Sequence, residues 1–374
     1  MSKVEVRKLG DIEDLGLIEM GRGNVISKND ILSTPGNYPV YSSSSSNNGE
    51  IGRYGKYMFD DERITWSIDG GGKLFYRNNV KYSVTNVCGW LKVLDEKKII
   101  SKYLYYLLIN QWQKLNFNYS HKAHPSVIRN EYYVPNIEIK VQEKIVKILD
   151  SFTNLIDALN EELSLRQKQF DYYREKLLTF DDKSILKPIN EIGTLFRGNG
   201  LQKKDFVDEG VGCIHYGQIY TKLGFSLSKP LTYVTKVTAK PLTKVRKGDL
   251  VIACTSENIE DVCKSVVWEG EEEIVTGGHA CVLRHNENPR YIGYFFQTHQ
   301  FFMQKKQYAY GAKVIDIKTE KLGEILIPIP SLSIQQSIVE KLDAFESLIA
   351  SLKEEIALRQ KQYEYYREKL LTFD

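Results

Sequence analysis

The chain lacks the features that mark secreted, disulfide-bonded or membrane-spanning proteins. Its 374 residues include five cysteines, an odd number without a Cys-x-x-Cys pair, which argues against a disulfide framework or a zinc ribbon. No apolar run reaches the roughly 18–20 residues of a membrane-spanning helix. The first residues contain no apolar stretch of the kind that a secretory signal needs. We therefore expect a cytoplasmic protein with no membrane partner.

Motifs of several enzyme classes are also missing. The sequence has no G-x-x-x-x-G-K-[ST] phosphate loop, no dinucleotide fingerprint and no nucleophile elbow. No two prolines are adjacent, which removes the Asn-Pro-Pro-aromatic motif of methyltransferases that act on a flipped base. The acidic run at residues 60–62 is more simply a solvated turn than a two-metal nuclease site. His121 and His124 have no third ligand nearby in sequence, which favours a polar loop over a metal site. We expect no catalytic residue, no metal and no cofactor.

What the sequence does contain is an internal repeat. The run from Leu163 to Asp181 returns 193 residues later as Ile356 to Asp374, with four conservative differences. A weaker echo, RGN-x3-K-x-D, begins at Arg22 and again at Arg197. The chain is therefore ordered variable, repeated, variable, repeated. The predicted boundaries are 1–137, 138–182, 183–330 and 331–374.

Both repeated segments have the heptad pattern of a long coiled-coil helix. Apolar residues recur at alternating spacings of three and four for about five heptads, interrupted by one arginine in each copy. Prolines precede each segment and none interrupts it. A helix of about 36 residues is roughly 54 Å long. We expect two long helices that pack together antiparallel.

The variable regions predict a different kind of structure. Short apolar runs at 250–253, 265–268 and 280–283 are typical of strands, and helices are predicted at 102–112 and 291–305. The first region has 18 Lys and Arg against 14 Asp and Glu, and the second has 20 against 16, whereas the repeated segments are acidic. This charge distribution favours a polyanion as the partner of the globular regions. The predicted fold class is α+β, with two globular domains separated by two long antiparallel coiled-coil helices in a pseudo-twofold repeat.

Candidate binding residues are cations, amides and aromatic side chains that lie close together in the variable regions. Cations bind phosphates, and planar or amide groups can reach base edges in a groove. For any one of them, the alternative is an aromatic ring in the core or a lysine on a solvated face. Residues 42–49 are predicted to form a surface loop, with ordering on a phosphate backbone as the alternative. The candidates are Arg53, Lys56, Tyr57, Trp66, Lys73, Arg77, His121 and Lys122 in the first region, and Tyr216, Gln218, Lys305, Lys306, Tyr308, Tyr310 and Lys313 in the second.

One duplicated motif is specific enough to suggest a family. The run P-x5-[VI]-Q-x2-I-x3-L-D begins at Pro135 and again at Pro328, and leads into the heptad helix in both copies. With this layout, the whole chain resembles the specificity subunits of type I restriction–modification enzymes. Residues 36–43, 48–52 and 247–253 are further family-like stretches. The loop expected before the last strand departs from the family pattern in both copies, so contacts there cannot be transferred.

The resemblance implies a function and a set of partners. Two target-recognition domains would each read one half of an asymmetric bipartite DNA site, and the helices would act as a ruler between the halves. The implied partners are double-stranded DNA, two modification subunits that bind S-adenosylmethionine and methylate adenine, and restriction subunits that cleave and translocate DNA using ATP. The chain itself would be a non-catalytic subunit.

Outward positions of the helices are also the same in the two copies, which a coiled-coil seam alone does not require. This identity indicates one partner surface used twice, or recent duplication. Two other interpretations remain: a coiled-coil scaffold that binds no DNA, and a fused nuclease or methyltransferase. The RGN echo counts against the first, and the missing motifs against the second. The docking candidates are Gln167, Lys168, Arg174, Lys176, Gln360, Lys361, Arg367 and Lys369.

Overall fold

The computed structural model describes residues 4–44, 46–179 and 185–373. The elements of the first half are β1 (Val6–Lys8), α1 (Leu9–Asp14), β2 (Ile18–Arg22), α2 (Lys28–Ser33), β3 (Tyr38–Tyr41), β4 (Glu50–Tyr54), β5 (Arg63–Ser67), β6 (Leu74–Arg77), β7 (Ser83–Val84), β8 (Cys88–Val93), α3 (Ser101–Trp112), α4 (Pro125–Glu131), β9 (Tyr133–Pro135) and α5 (Ile139–Leu178).

The elements of the second half are β10 (Leu186–Pro188), α6 (Ile189–Ile192), β11 (Gly193–Arg197), β12 (Phe206–Val207), β13 (Val211–His215), α7 (Tyr216–Thr221), β14 (Ser226–Leu227), β15 (Thr232–Val234), α8 (Lys236–Ala239), β16 (Thr243–Val245), β17 (Leu250–Ala253), β18 (Thr255–Ser256), β19 (Ser265–Trp268), β20 (Ile274–Gly277), β21 (Ala280–His285), α9 (Pro289–Phe295), α10 (His299–Tyr308), β22 (Ile315–Asp316), α11 (Thr319–Gly323), β23 (Leu326–Pro328) and α12 (Leu332–Leu371). Short 3-10 helices lie at Asn47–Gly49 and Lys203–Asp205.

The chain divides into two compact units. Unit 1 contains Met1–Glu161 and Glu354–Asp374, and unit 2 contains Glu162–Lys353. Each unit therefore combines one globular region with part of both long helices. The helix that follows a globular region continues into the other unit.

Unit 1 is built on two sheets. A four-stranded antiparallel sheet has the order β2-β8-β5-β6, and a three-stranded sheet has the order β4-β3-β7, with β3 and β7 parallel. Leu104, Leu107 and Leu108 of α3 are buried in one core with Ile64 and Leu91 of the larger sheet. Strand β1 pairs with β9, which brings the start and end of the globular region together just before α5.

Unit 2 has the same plan with more strands. Its sheets have the orders β11-β21-β17-β19-β14 and β12-β15-β13-β20-β16, and β13 and β20 are parallel. Leu250 and Ile252 of β17 enter one core, while Val251 and Ala253 enter another. A strand that is buried on both faces gives a continuous apolar run in the sequence. The three strands predicted at 250–253, 265–268 and 280–283 are thus confirmed as β17, β19 and β21.

The strand pairs that occur in both units are arranged in the same way. The run β2-β8-β5-β6 corresponds to β11-β21-β17-β19, and every one of these pairs is antiparallel. The parallel pair β3 and β7 corresponds to β13 and β20, and β1 with β9 corresponds to β10 with β23. The two variable regions therefore share one architecture although their sequences have diverged.

Each unit also contains an antiparallel helix pair. In unit 1, Phe152 of α5 stacks on Tyr366 of α12, with ring centroids 5.4 Å apart. In unit 2, Tyr173 of α5 stacks on Phe345 of α12, also at 5.4 Å. Phe345 is the repeat equivalent of Phe152, and Tyr366 that of Tyr173, so the same contact forms twice. The predicted α+β fold with antiparallel long helices and an internal repeat is confirmed.

One predicted helix is broken in two. Instead of a helix over 291–305, helix α9 ends at Phe295 and α10 begins at His299. The Thr298 hydroxyl donates to the Phe295 carbonyl at 2.7 Å and accepts from the Phe301 amide at 3.2 Å, so it caps the second helix. The helix predicted at 102–112 is confirmed as α3. Within the described residues, no helix is both long enough and apolar enough to cross a membrane.

Candidate nucleic-acid interface

A repeated glutamine fixes each globular region to the start of a long helix. The buried Gln142 side chain accepts from the Ile100 amide at 2.9 Å and donates to the Lys98 carbonyl. Its repeat equivalent, Gln335, accepts from the Asn288 amide at 3.0 Å. Ile100 and Asn288 are the residues that precede α3 and α9. The Val/Ile-Gln pair of the duplicated motif therefore attaches an equivalent helix in each unit.

The aspartate that ends the same motif forms a second attachment in unit 1. Asp150 accepts from the Lys102 ammonium at 2.9 Å and from the Tyr106 hydroxyl at 2.6 Å. Burial and the nearby carboxylate raise the pKa of Tyr106, so its hydroxyl remains a hydrogen-bond donor. The Lys102 ammonium and the neutral Tyr106 hydroxyl thus hold α3 on α5.

Unit 2 repeats this attachment with related side chains. Asp343 accepts from Arg290 at 2.9 Å and from the Tyr294 hydroxyl at 2.6 Å. Burial, followed by the hydrogen bond to Asp343, raises the pKa of Tyr294. The two globular regions are therefore attached to the long helices by the same kinds of hydrogen bond. This attachment explains why the motif is repeated.

The RGN echo is also explained by local structure. Strands β2 and β11 end at its arginines, and each following glycine lies close to a neighbouring strand. A Cβ on Gly23 would lie 1.9 Å from the Val84 carbonyl oxygen. Asp30 accepts from the Ser27 amide at 2.7 Å, and Asp205 accepts from the Gln202 amide at 2.8 Å. Each aspartate caps the short helix that follows the strand.

Three loops come together at one edge of unit 1. The Asp69 amide donates to the Ser43 hydroxyl at 3.2 Å, and Asp69 pairs with the Lys122 ammonium at 2.9 Å. The buried Trp66 indole donates to the Ala123 carbonyl at 2.7 Å, which holds the third loop on β5. We call residues 42–44, 46–49, 69–72 and 118–122 the first loop surface.

The third loop of the first loop surface, residues 118–122, is polar and exposed. His121 stacks on Phe117, with ring centroids 5.2 Å apart, and its Nε2 lies 2.8 Å from a Glu131 oxygen. Tyr119 is largely exposed. The hydrogen bond that Lys122 donates to Asp69 raises the pKa of Lys122, so this cation stays charged. The surface offers a cation, an imidazole and a phenol to a ligand.

The remaining candidates of the first region divide between surface and core. Arg53 of β4 is exposed and pairs with Glu50 at 3.0 Å, and Lys56 and Tyr57 are exposed in the turn that follows. Lys73 is half-buried, 5.4 Å from the Phe75 ring. Arg77 is buried beneath residues 46–49 and donates to the Asn48 carbonyl. Trp66 and Arg77 therefore support the loops from below.

A hydrogen-bonded cluster occupies the equivalent edge of unit 2. Asp316 accepts from Arg197 at 3.2 Å and from the Thr255 hydroxyl at 2.8 Å. The same hydroxyl lies 3.0 Å from Nδ1 of His279, whose ring is 5.0 Å from that of Tyr216. We call these five residues, together with Tyr310, the second loop surface.

The candidates on α7 take part in the local structure of this cluster. Gln218 accepts from the His215 amide at 2.9 Å and donates to Thr232 at 3.3 Å, so it is half-buried and caps its own helix. Burial lowers the pKa of His215, and the nearby Lys203 ammonium acts in the same direction. Tyr216 is half-buried, with its ring between those of His215 and His279.

The candidates near α10 differ in exposure. Lys305 is only 4% exposed, and its ammonium donates to the carbonyls of Val262 at 2.6 Å and Glu260 at 3.1 Å. Burial lowers the pKa of Lys305. This lysine therefore fixes the segment before β19. Tyr308 is half-buried beside Lys321. Lys306, Tyr310 and Lys313 are exposed.

Several residues of both surfaces were missed from the sequence. Arg197 could have been found, because it begins the second RGN echo. Thr255, His279 and Asp316 carry no local signal, since two strands and a turn that are far apart in sequence bring them together only in the folded chain. Asp69 lies outside the clusters of cations and aromatic residues that defined the candidates.

The docking candidates on the helices fall into two groups. Gln167, Lys168, Lys176, Gln360, Lys361 and Lys369 are exposed. Arg174 is mostly buried and pairs with Asp171 at 3.0 Å. Its repeat equivalent, Arg367, is buried and donates to Gln113. Since these arginines hold the helix ends in place, their identity in the two copies has an internal cause.

The exposed face of each helix end carries further repeated residues. Leu165 and its equivalent Leu358 are 58% and 57% exposed, and Tyr172 and Tyr365 are 58% and 60% exposed. They share a helical face with the exposed lysines, since Lys176 lies near the Tyr172 ring and Lys369 near the Tyr365 ring. We call the two sets the outward stripes.

These features define a class of protein: two recognition modules with different loop surfaces, carried on one duplicated helical frame. A model of the type I restriction modification DNA specificity domain matches residues 1–165 and 186–358. The chain therefore belongs to the type I restriction–modification DNA specificity family. As a class, the specificity subunits of this family are non-catalytic members of a type I complex that acts on DNA.

Similar proteins agree with this assignment. The EcoR124I/EcoR124II specificity subunit of Escherichia coli is 30% identical over 298 residues, which is 75% of this chain and 72% of that protein. A Mycoplasma pneumoniae protein described as a type I specificity subunit is 28% identical over 381 residues, covering 97% of this chain and 96% of its own. The S subunit structure from M. genitalium matches in fold with a TM-score of 0.63 at 15% identity, over 100% of this chain and 96% of that one. The family favours DNA specificity over a scaffold that binds no DNA.

Proposed function

We propose that the chain directs a type I modification and restriction complex to an asymmetric, bipartite DNA site. Residues 1–137 and 183–330 act as target-recognition domains, and residues 138–182 and 331–374 act as helical spacers. Each domain reads one half-site, and the helices fix the number of base pairs between the halves. The chain acts in the cytoplasm on double-stranded DNA.

The observation that carries this proposal is a contrast between repeated and different residues. The residues that attach the globular regions to the helices are repeated, whereas the residues of the two loop surfaces differ. Gln142 and Gln335, and Asp150 and Asp343, attach equivalent elements in the two units. The loop surfaces on the equivalent strands contain different residues. A frame that repeats its attachments and varies its loops is suited to reading two different short sequences, because base readout depends on the side chains in the groove.

We propose direct DNA contacts for the exposed or half-buried candidates. Cations among them would bind phosphates, while aromatic and amide groups would reach base edges. The buried candidates Trp66, Arg77 and Lys305 would act by holding the loops. The proposed contacts are Arg53, Lys56, Tyr57, Lys73, His121 and Lys122 for the first half-site, and Tyr216, Gln218, Lys306, Tyr308, Tyr310 and Lys313 for the second.

We propose that two modification subunits dock on the two outward stripes. The stripes contain the same apolar, phenolic and cationic groups, so one partner surface would fit both. The modification subunits would bind S-adenosylmethionine and methylate adenine, and restriction subunits would supply ATP-dependent cleavage and translocation. The docking contacts would come from Gln167, Lys168, Lys176, Gln360, Lys361 and Lys369, with Arg174 and Arg367 shaping the helix ends.

A methylome tests the proposal directly. The chain would be expressed with its modification subunit in a host that lacks adenine methylation, and modified adenines would be mapped by single-molecule sequencing. The expected result is a two-part asymmetric motif with a fixed gap that disappears when this chain is omitted. Methylation that does not depend on the chain, with a soluble and cofactor-loaded modification subunit, would contradict the proposal.

Domain exchange tests the division into half-sites. Replacing residues 1–137 with the first domain of another family member should change one half of the methylated motif and leave the other unchanged. Inserting one heptad at the same place in both long helices should lengthen the gap and preserve both halves. A change in both halves after the exchange, or an unchanged gap after the insertion, would refute this division.

A further inference from the structure

Two arginines face each other across strands β5 and β6 of unit 1. Arg63 and Arg77 are directly opposite in the register, and both are buried. Arg63 is neutralised by Asp61, which accepts from its Nε at 2.6 Å and from its terminal nitrogen at 3.0 Å. Arg77 has a different environment: within the described ranges, no carboxylate lies at ion-pair distance from its guanidinium group.

The Arg77 guanidinium is instead enclosed by aromatic rings and neutral oxygens. It lies 3.5 Å from the centre of the Tyr41 ring and 4.7 Å from that of Phe75, and it donates to the Thr65 hydroxyl at 3.1 Å. Burial lowers the pKa of Arg77, although arginine remains charged in proteins. A cation that is 5% exposed and lacks an anion is costly to bury, and its field is poorly screened by water.

The group directly above this charge is an exposed turn of residues 46–49. Arg77 donates to the Asn48 carbonyl at 2.6 Å. Asn47, Asn48 and Gly49 have φ values of 45°, 56° and 81°, a left-handed run that asparagine and glycine tolerate. The side chains of Ser46, Asn47 and Asn48 are exposed. The turn thus presents a hydroxyl and two amides, all capable of donating, over a buried positive charge.

We propose that this turn, held from below by Arg77, binds a phosphate group, and that on DNA it grips a backbone phosphate of the first half-site. The DNA part of the inference rests on the proposed function; the phosphate part does not. Arg77 is a positioning residue here, since it acts through the turn and through its charge. In unit 2 the segment after β13, the strand equivalent to β3, is α7, where Gln218 accepts from the His215 amide and the His215 ring accepts from the Gly217 amide. We therefore infer that this grip is confined to the first half-site.

The sharpest test places a carboxylate on the turn. Asn48→Asp is isosteric, keeps a residue that tolerates positive φ, and adds a negative charge to the turn above Arg77. We expect the complex of the full chain with its modification subunits to bind its target about tenfold more weakly, with a salt-dependence slope smaller by about one. The unfolding temperature of the variant should stay equal or rise. Asn48→Gly keeps the backbone and adds no charge but removes one donor, so it should weaken binding clearly less than Asn48→Asp does.

Arg77→Gln removes the charge and should lower both the affinity and the salt slope while the methylated motif stays the same. Thermal unfolding of Arg77→Gln shows whether a loss of affinity comes from misfolding. If Arg77→Gln does not fold, the comparison of Asn48→Asp with Asn48→Gly still tests the proposal. A purely structural role of the turn predicts that Asn48→Asp and Asn48→Gly bind DNA alike. Wild-type affinity and slope in Asn48→Asp would overturn the DNA part of the inference.

A second measurement does not depend on DNA. Inorganic phosphate should raise the unfolding temperature of the wild-type chain more than that of Asn48→Asp at equal ionic strength, because a ligand stabilises the state that binds it. An equal response would overturn the phosphate site. A selective response in a chain that shows no sequence-specific DNA binding would mean that the proposed function fails and the site takes free phosphate.

Discussion

In unit 1 the segment after β3 is a turn rich in serine and asparagine above the unneutralised Arg77, whereas in unit 2 the segment after the equivalent strand β13 is helix α7. The first and second loop surfaces also differ in their ion pairs. Asp69 and Lys122 form a single ion pair in the first, while Asp316 joins Arg197, Thr255 and the neighbouring His279 in the second.

The central strand pairings and the attachments below these edges are equivalent in the two units. In both units a repeated glutamine and a repeated aspartate of the long helix bind the equivalent helix of the globular region, which is α3 in unit 1 and α9 in unit 2. The comparison teaches that the loop edges differ in their side chains, whereas the repeated glutamine and aspartate are kept where they attach each globular region to a long helix. Four predictions test this contrast, beginning with the frame.

The largest effect is expected at the repeated glutamines. Gln142→Ala would leave the Ile100 amide and the Lys98 carbonyl without their buried partner, and Gln335→Ala would do the same to the Asn288 amide. Each change should cost about 1–3 kcal/mol of local stability, since the lost hydrogen bonds lie where water replaces them poorly. Hydrogen exchange of α3 and α9 in the full chain measures the loss in each unit. Gln167→Ala, on an exposed face, is the control and should stay within about 0.5 kcal/mol. A loss in only one unit would contradict equal attachments.

The second prediction separates the two surfaces. His279→Ala removes an imidazole from the second loop surface and should relax that half of the methylated motif, with a loss of about 1–3 kcal/mol in discrimination. Tyr119→Ala is the matched change on the first loop surface and should affect only the other half. Methylome motifs of the two variants provide the measurement. Relaxation of the same half by both variants would show that the surfaces are not independent.

The third prediction concerns acid stability of unit 2. Burial lowers the pKa of His285 below its usual 6.5, and also that of His215. The neutral forms are therefore favoured by folding, so their contribution is complete above pH 6.5 and declines as the pH falls through the lowered pKa values. Thermal unfolding between neutral and mildly acidic pH should show this loss. The double variant His215→Gln and His285→Gln should flatten it; an unchanged slope would rule these residues out.

The smallest effect is expected for exposed ion pairs. Arg53→Ala breaks a pair with Glu50 in unit 1, and Arg246→Ala breaks one with Glu273 in unit 2. Each should change stability by no more than about 0.5 kcal/mol, because water and salt screen such pairs. Urea unfolding measures both. If Arg53 binds DNA as proposed, its replacement should weaken target binding while stability stays the same; parallel losses in both quantities would indicate a structural role.

Prediction from the sequence worked best where the signal was periodic or repeated. The heptads gave both long helices, the continuous apolar runs gave β17, β19 and β21, and the duplicated motif gave the family. The helix predicted over 291–305 was wrong because Thr298 caps a second helix, a choice made by one hydroxyl. The predicted site residues remain proposals, but their placement is informative: Trp66, Arg77 and Lys305 are buried supports.

The sequence by itself determined the duplicated order of the chain, the helices and the mild positive charge of the globular regions, because repeats, period and composition are local properties that need no folded chain. Tertiary structure decided which side chains meet. Thr255 of β18 and Asp316 of β22 meet only when these two strands pair, and His279 joins them from the turn between β20 and β21. Arg77 comes beneath the turn at 46–49 only when β6 pairs with β5. Such contacts depend on the register between paired strands, and the sequence of a single strand does not show with which register it pairs.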